Sequence, residues 1–131
     1  MIAFDTNLVV RLMLEDDERQ AKVALSILDN AVEKSEKVLV TDIVLSELEW
    51  VLDSAYRVPR LRLLAAIQRL AADNRFVFED QERLTNALAR YQDGTGDLSD
   101  YLLGLKSREA GASTTYTFDR ALRGEEPFTV V

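Results

Sequence analysis

Five acidic side chains stand where chemistry could use them: Asp5, Glu47, Asp97, Asp100 and Asp119. The 131 residues contain no histidine and no cysteine. Imidazole acid–base work, Ser-His-Asp hydrolysis, thiolate nucleophiles and thiolate zinc sites are therefore excluded. Carboxylates, hydroxyls, amines or a bound ion must do whatever is done. Carboxylates that converge repel, two of them about 4 Å apart costing about 4 kcal/mol at an effective dielectric near 20. Raised pKa values or a divalent cation relieve that repulsion, and oxygen ligands suit Mg²⁺ or Mn²⁺. Such a cation polarises a phosphate and lowers the pKa of bound water. The chemistry that fits is phosphoryl chemistry without histidine.

Each acid also has a structural reading. Asp5, in Phe4-Asp5-Thr6-Asn7, closes an apolar run, where an aspartate commonly caps the next helix. Asp119, in Thr117-Phe118-Asp119-Arg120, reads the same way. Glu47 lies at the margin of the apolar stripe of its helix and Glu49 at the opposite margin, and spacing alone does not rank them. Asp53 faces away from that stripe and reads as solvated. Asp97 and Asp100, spaced i, i+3 in Gly96-Asp97-Leu98-Ser99-Asp100-Tyr101, share one helical face. Asp97 suits an N-cap and Asp100 the acidic first turn that a helix dipole favours. A helix start can also orient a metal ligand.

Short apolar runs and helical periodicities alternate along the chain. Met1–Phe4, Val38–Val40, Phe76–Phe78, Ala112–Tyr116 and Phe128–Val131 read as strands. Helices are expected from Thr6 to Leu14 (with Thr6 or Asn7 as cap), from Asp16 or Asp17 to about Val32, from Ile43 to Ala55 after a Thr41 cap, from Leu61 to Ala72, from Gln81 to Tyr91 and from Asp97 to Glu109. Inward stripes are Ala21/Ala24/Leu25/Leu28, Val44/Leu48/Val51/Leu52/Ala55 and Leu98/Tyr101/Leu102/Leu105. Pro59 and Gly94-Thr95-Gly96 break helices. The alternation implies an α/β fold with a mostly parallel sheet covered on both faces. Sites in such folds lie beyond the carboxyl ends of strands, where Asp5 and Asp119 fall.

Length points to one domain spanning residues 1–131. Apolar residues make up 47% and charged residues 30%, the balance of a soluble globular protein. No apolar run approaches the roughly 20 residues of a membrane span, and the first residues lack a signal-peptide pattern. A cytoplasmic protein is expected. The net charge is −7, which argues against a general nucleic-acid coat. A local basic stretch remains in Arg57, Arg60, Arg62, Arg69 and Arg75. It reads either as a solvated helix face or as an edge for RNA.

Ile2-Ala-Phe-Asp-Thr-Asn-Leu-Val-Val-Arg11 resembles the opening of a PIN-domain nuclease. Thr41-Asp-Ile-Val-Leu-Ser-Glu47-Leu-Glu-Trp-Val-Leu52 resembles that family's second acidic motif, Asp97-Leu-Ser-Asp100-Tyr-Leu-Leu-Gly104 the third, and Thr117-Phe-Asp119 the fourth. Within the family, the length and the opening are most similar to VapC-type toxins of toxin–antitoxin pairs. The resemblance implies a three-layer α/β/α sandwich around a mostly parallel sheet. It implies an acidic pocket of Asp5, Glu47, Asp100 and Asp119, with Asp97 as a further metal ligand. Thr6, Asn7, Ser46 and Thr117 would orient those carboxylates. Mg²⁺ or Mn²⁺ would activate a water that attacks an RNA phosphodiester, leaving a 5′-phosphate and a 3′-hydroxyl. A cognate antitoxin and a homodimer are the partners it implies. The alternatives are a PIN nuclease for RNA processing without an antitoxin, and an inactive PIN-like binding module. An aspartyl phosphatase is more distant, because Asn7 stands where its second acid belongs.

Overall fold

The apolar run after Met1 forms strand β1 (Ile2–Ala3). Asp5, not Thr6 or Asn7, caps helix α1 (Thr6–Met13), its side chain accepting from the Leu8 N–H. The structure, a computed structural model, describes residues 1–14 and 16–131. Helix α2 (Glu18–Glu33) opens on Asp17, which accepts from the Gln20 N–H. Its buried face is Ala24, Leu28 and Ala31, whereas Leu25 is 47% exposed. The 24/28/31 spacing sets the inward stripe and turns Leu25 out.

Strand β2 (Val38–Val40) leads through the Thr41 cap into α3 (Asp42–Ser54). Leu45, Leu48 and Leu52 are the most deeply buried residues of α3, and Ala55 is exposed. The helix is rotated toward Leu45 relative to the stripe expected from sequence, which buries Glu49 at 6% exposure. After Pro59 comes α4 (Arg60–Ala72), then β3 (Phe76–Phe78). The three strands pair in parallel in the order β1-β2-β3, with Ile2 opposite Val38 and Val38 opposite Phe76. Phe4 and Phe76 meet edge to face at 6.3 Å. α1 packs on α2 and α3, α3 on α4, and α4 on β3. Each fully buried leucine, isoleucine or valine of this core contributes about 1.5–3 kcal/mol.

Asp73 closes α4 and turns the chain into β3. It accepts from the Arg75 backbone N–H, and its two oxygens take Arg75 Nε at 3.0 Å and a terminal guanidinium nitrogen at 2.6 Å. The Arg75 hydrogen bonds hold the Asp73 carboxyl below its ordinary value of 3.8. A lowered folded pKa contributes stability above the unfolded value and loses it as pH falls through the folded one. Asp73→Asn is therefore expected to cost about 1 kcal/mol or less at neutral pH, the pair being partly exposed. Denaturant unfolding should show that gap closing as the pH falls below the ordinary carboxylate range; a gap that stays constant on acidification would contradict the assignment.

These elements form one unit, Met1–Gln81, and Glu82–Val131 form a second. The second holds nearly all of α5 (Gln81–Asp93), then α6 (Leu98–Glu109), β4 (Thr115–Thr117), a single 3-10 turn (Arg120–Leu122) and β5 (Phe128–Val130). β4 and β5 pair in parallel, Thr115 opposite Phe128. The inward stripe Leu98, Tyr101, Leu102 and Leu105 is buried as the spacing requires. Gly111, at φ +106, ends the α6 region, a backbone conformation that favours glycine. Ala112 donates to the Ser107 carbonyl, so β4 starts later than Ala112. The α/β class with parallel strands, in keeping with the PIN-like α/β/α sandwich, is what the structure has. Among the described residues no helix is long and apolar enough to cross a membrane.

Candidate active site

In the first unit the parallel pairing brings the carboxyl ends of β1, β2 and β3 to one edge of the sheet. Asp5 follows β1, Thr41 and Asp42 follow β2, and Glu79 and Asp80 follow β3. Asp5 is exposed, and its Oδ1 accepts from the Leu8 N–H at 3.2 Å. Thr6 is buried, and its hydroxyl donates to Glu47 Oε2 at 2.8 Å. That bond joins α1 to α3 and fixes the Glu47 carboxylate beside the residue that follows Asp5. Of the two glutamates that spacing left equal, Glu47 is exposed and held by Thr6, while Glu49 is buried. Ser46 is half-buried and Asn7 exposed. Thr41 Oγ1 accepts from the Val44 N–H at 3.3 Å, and the Asp42 N–H donates to Glu79 Oε1 at 3.2 Å.

Beside Asp5 runs an open groove of about 300 Å³ lined by Asp5, Asn7, Leu8, Arg11, Arg19, Gln20 and Val23. Its wall is braced by Arg11, which donates to Gln20 Oε1 at 2.7 Å and pairs with Asp16 at 2.9 Å. The Tyr56 hydroxyl, then the Arg11 charge, holds Asp16 below the usual carboxylate range.

In the second unit Asp97 is the N-cap of α6, and its N–H donates to Asp100 Oδ2 at 2.9 Å, one arm of a capping box. Burial pushes the Asp100 carboxyl above its ordinary value. The hydrogen bond from Asp97 opposes this, and the charges of Asp97 and Asp119 add to it. So Asp97 and Asp119 each lie within electrostatic reach of Asp100. Asp119 caps the 3-10 turn through the Ala121 N–H at 2.9 Å, and its own N–H donates to Thr117 Oγ1 at 3.0 Å. Within neither unit do three carboxylates of the described residues already form a cation cage.

A PIN-domain family model matches residues 2–124, through both units and all four acidic motifs. The chain belongs to the PIN-domain family. No curated protein matches it. PIN domains are generally nucleases, and the matched span contains Asp5, Glu47, Asp97, Asp100 and Asp119. The donors are carboxylate oxygens, and Asp100 is raised by burial and by its acidic neighbours. Hard divalent cations fit that chemistry, since positive charge there would relieve the repulsion.

Sequence reading passed over Asp42 and Glu79. Asp42 is buried, and Glu79 is tied to its backbone across the sheet edge. The signal available was their position after apolar strands. Of the basic stretch, Arg75 is bound to Asp73, while Arg57, Arg62 and Arg69 are exposed.

Proposed function

We propose that this PIN domain, residues 1–131 acting as one nuclease domain, is a divalent-cation-dependent endoribonuclease and the cytoplasmic toxin of a toxin–antitoxin pair. The observation that carries the reading is the Thr6–Glu47 hydrogen bond, which steers a second carboxylate to the sheet edge that Asp5 occupies. The residues that would hold Mg²⁺ or Mn²⁺ are Asp5, Glu47, Asp100 and Asp119, with Asp97 as a fifth candidate. The bound ion supplies positive charge that polarises the phosphodiester and makes water acidic enough to attack it. The chain's own part is to orient the carboxylates. The Leu8 N–H fixes Asp5, Thr6 fixes Glu47, the Asp97 N–H fixes Asp100 and the Ala121 N–H fixes Asp119. Each bond leaves carboxylate lone pairs over for a ligand. Asn7, Ser46 and Thr117 complete the supporting set, Thr117 through its bond from the Asp119 N–H.

The orienting role of Thr6 predicts a graded result. Thr6→Val should lower the cleavage rate by about tenfold or more, the usual loss when a group that orients a ligand is removed. Thr6→Ser should restore most of it. Equal rates in Thr6→Val and the parent, both folded, would remove Thr6 from the site.

The toxin role is tested by controlled expression. Induction of the parent should arrest growth, induction of Asp5→Asn should not, and co-expression of a cognate antitoxin should relieve the arrest. RNA cleavage in vitro with no growth effect would instead indicate an RNA-processing nuclease. The same purification reports whether the chain is a homodimer.

A further inference from the structure

Tyr116 and Phe118 are 69% and 85% exposed. Large aromatic side chains normally gain from burial, yet these two stand exposed two residues apart. Tyr116 is the middle of β4 and Phe118 directly follows it. The two exposed aromatics thus lie within three residues of one another on one segment. The next residue is Asp119, whose charge is felt by Asp100. Arg120 and Arg123 follow, both exposed.

We infer that Tyr116 and Phe118 form a stacking platform for two bases of single-stranded RNA, beside Asp119. This rests on the nuclease reading above and deepens it. Every nucleobase offers a π-face, and aromatic side chains that hold unpaired strands use it without regard to sequence. The arginines on the same segment suit the phosphates that run between the bases. The charge pattern selects this occupant. Two exposed arginines, Arg120 and Arg123, follow the aromatics on the same segment, and the segment has no i, i+3, i+4 apolar ridge of the kind that docks a helix. A duplex keeps its base faces stacked inside, so the platform favours unpaired RNA.

The test separates binding from cleavage. In an Asp5→Asn background, a fluorescein-labelled single-stranded RNA of about 12 nucleotides is titrated by anisotropy. Phe118→Ala and Tyr116→Ala should each weaken binding by roughly five- to a hundred-fold. Phe118→Tyr should bind like its parent. In a Trp50→Phe, Phe118→Trp chain, the single indole should be quenched on adding RNA. Because both rings are exposed, thermal unfolding should barely move. Affinities within twofold of the parent's in both alanine variants would overturn the platform and leave the nuclease reading standing. So would loss of self-association with RNA binding intact, which would make the patch a protein contact. RNA cleaved by the parent chain but bound no better than duplex would also count against it. Absence of any RNA binding or cleavage by the parent would remove both.

Discussion

Asp5→Asn should lower kcat/KM for RNA cleavage by a factor of about 100–1000 or more, the scale of losing one charged group from a reacting centre, and should leave the fold unchanged. The second half follows from where Asp5 sits. It caps α1 by accepting from the Leu8 N–H, and asparagine caps a helix as well as aspartate does. The change therefore removes the negative charge and keeps the cap. Asp5→Ala removes both and should cost about 1 kcal/mol of stability in addition. Steady-state cleavage and thermal unfolding of the two variants separate the roles. An Asp5→Asn chain that cuts RNA at the parent's rate would detach Asp5 from the chemistry.

Tyr101→Ala should be the most damaging single change to stability, costing about 3–5 kcal/mol. Tyr101 is fully buried in α6, and its hydroxyl accepts from the Gly96 N–H at 3.0 Å. Truncation opens a ring-sized cavity and leaves that N–H without its acceptor. Gly94 and Gly96 belong to the same device: a Cβ on Gly94 would strike the Tyr101 hydroxyl, and one on Gly96 would meet Leu122 at 2.5 Å. The ring thus fastens the turn from which Asp97 and Asp100 are presented. Tyr101→Phe, which keeps the volume, should cost only the hydrogen bond, about 1–3 kcal/mol. Denaturant midpoints of the two variants give the comparison. Equal losses would show that the ring's packing matters little.

How much of the fold and the candidate site was legible in the sequence follows from particular residues. Asp5 and Asp119 could be singled out because each follows a short apolar run, at the carboxyl end of a parallel strand of its own sheet. The α6 stripe Leu98/Tyr101/Leu102/Leu105 held because four apolar residues at regular spacing fix a helix's rotation. In α3 Val44, Leu48 and Leu52 are buried as their spacing requires, but Leu45 takes the inward place expected of Val51 and Ala55, because Leu45 and Val51 are both apolar and periodicity cannot choose between them. Packing turned the helix toward Leu45, which buried Glu49 and left Glu47 within reach of Thr6. That choice rests on a contact between residues 41 positions apart, which no local pattern encodes. The 3-10 turn at Arg120–Leu122 was missed because three residues are too few for a period. β4 began later than Ala112 because backbone bonding from Ser107 claims Ala112 first.

The most direct measurement is to incubate the purified protein, free of bound partner, with total cellular RNA in Mg²⁺ or Mn²⁺ and to sequence the new 5′-phosphate ends. Discrete cuts that vanish both with EDTA and in Asp5→Asn are the predicted result. Cuts that persist in either control, or no cuts from a folded chain that binds Mn²⁺ and is offered single-stranded and structured RNA alike, would contradict it.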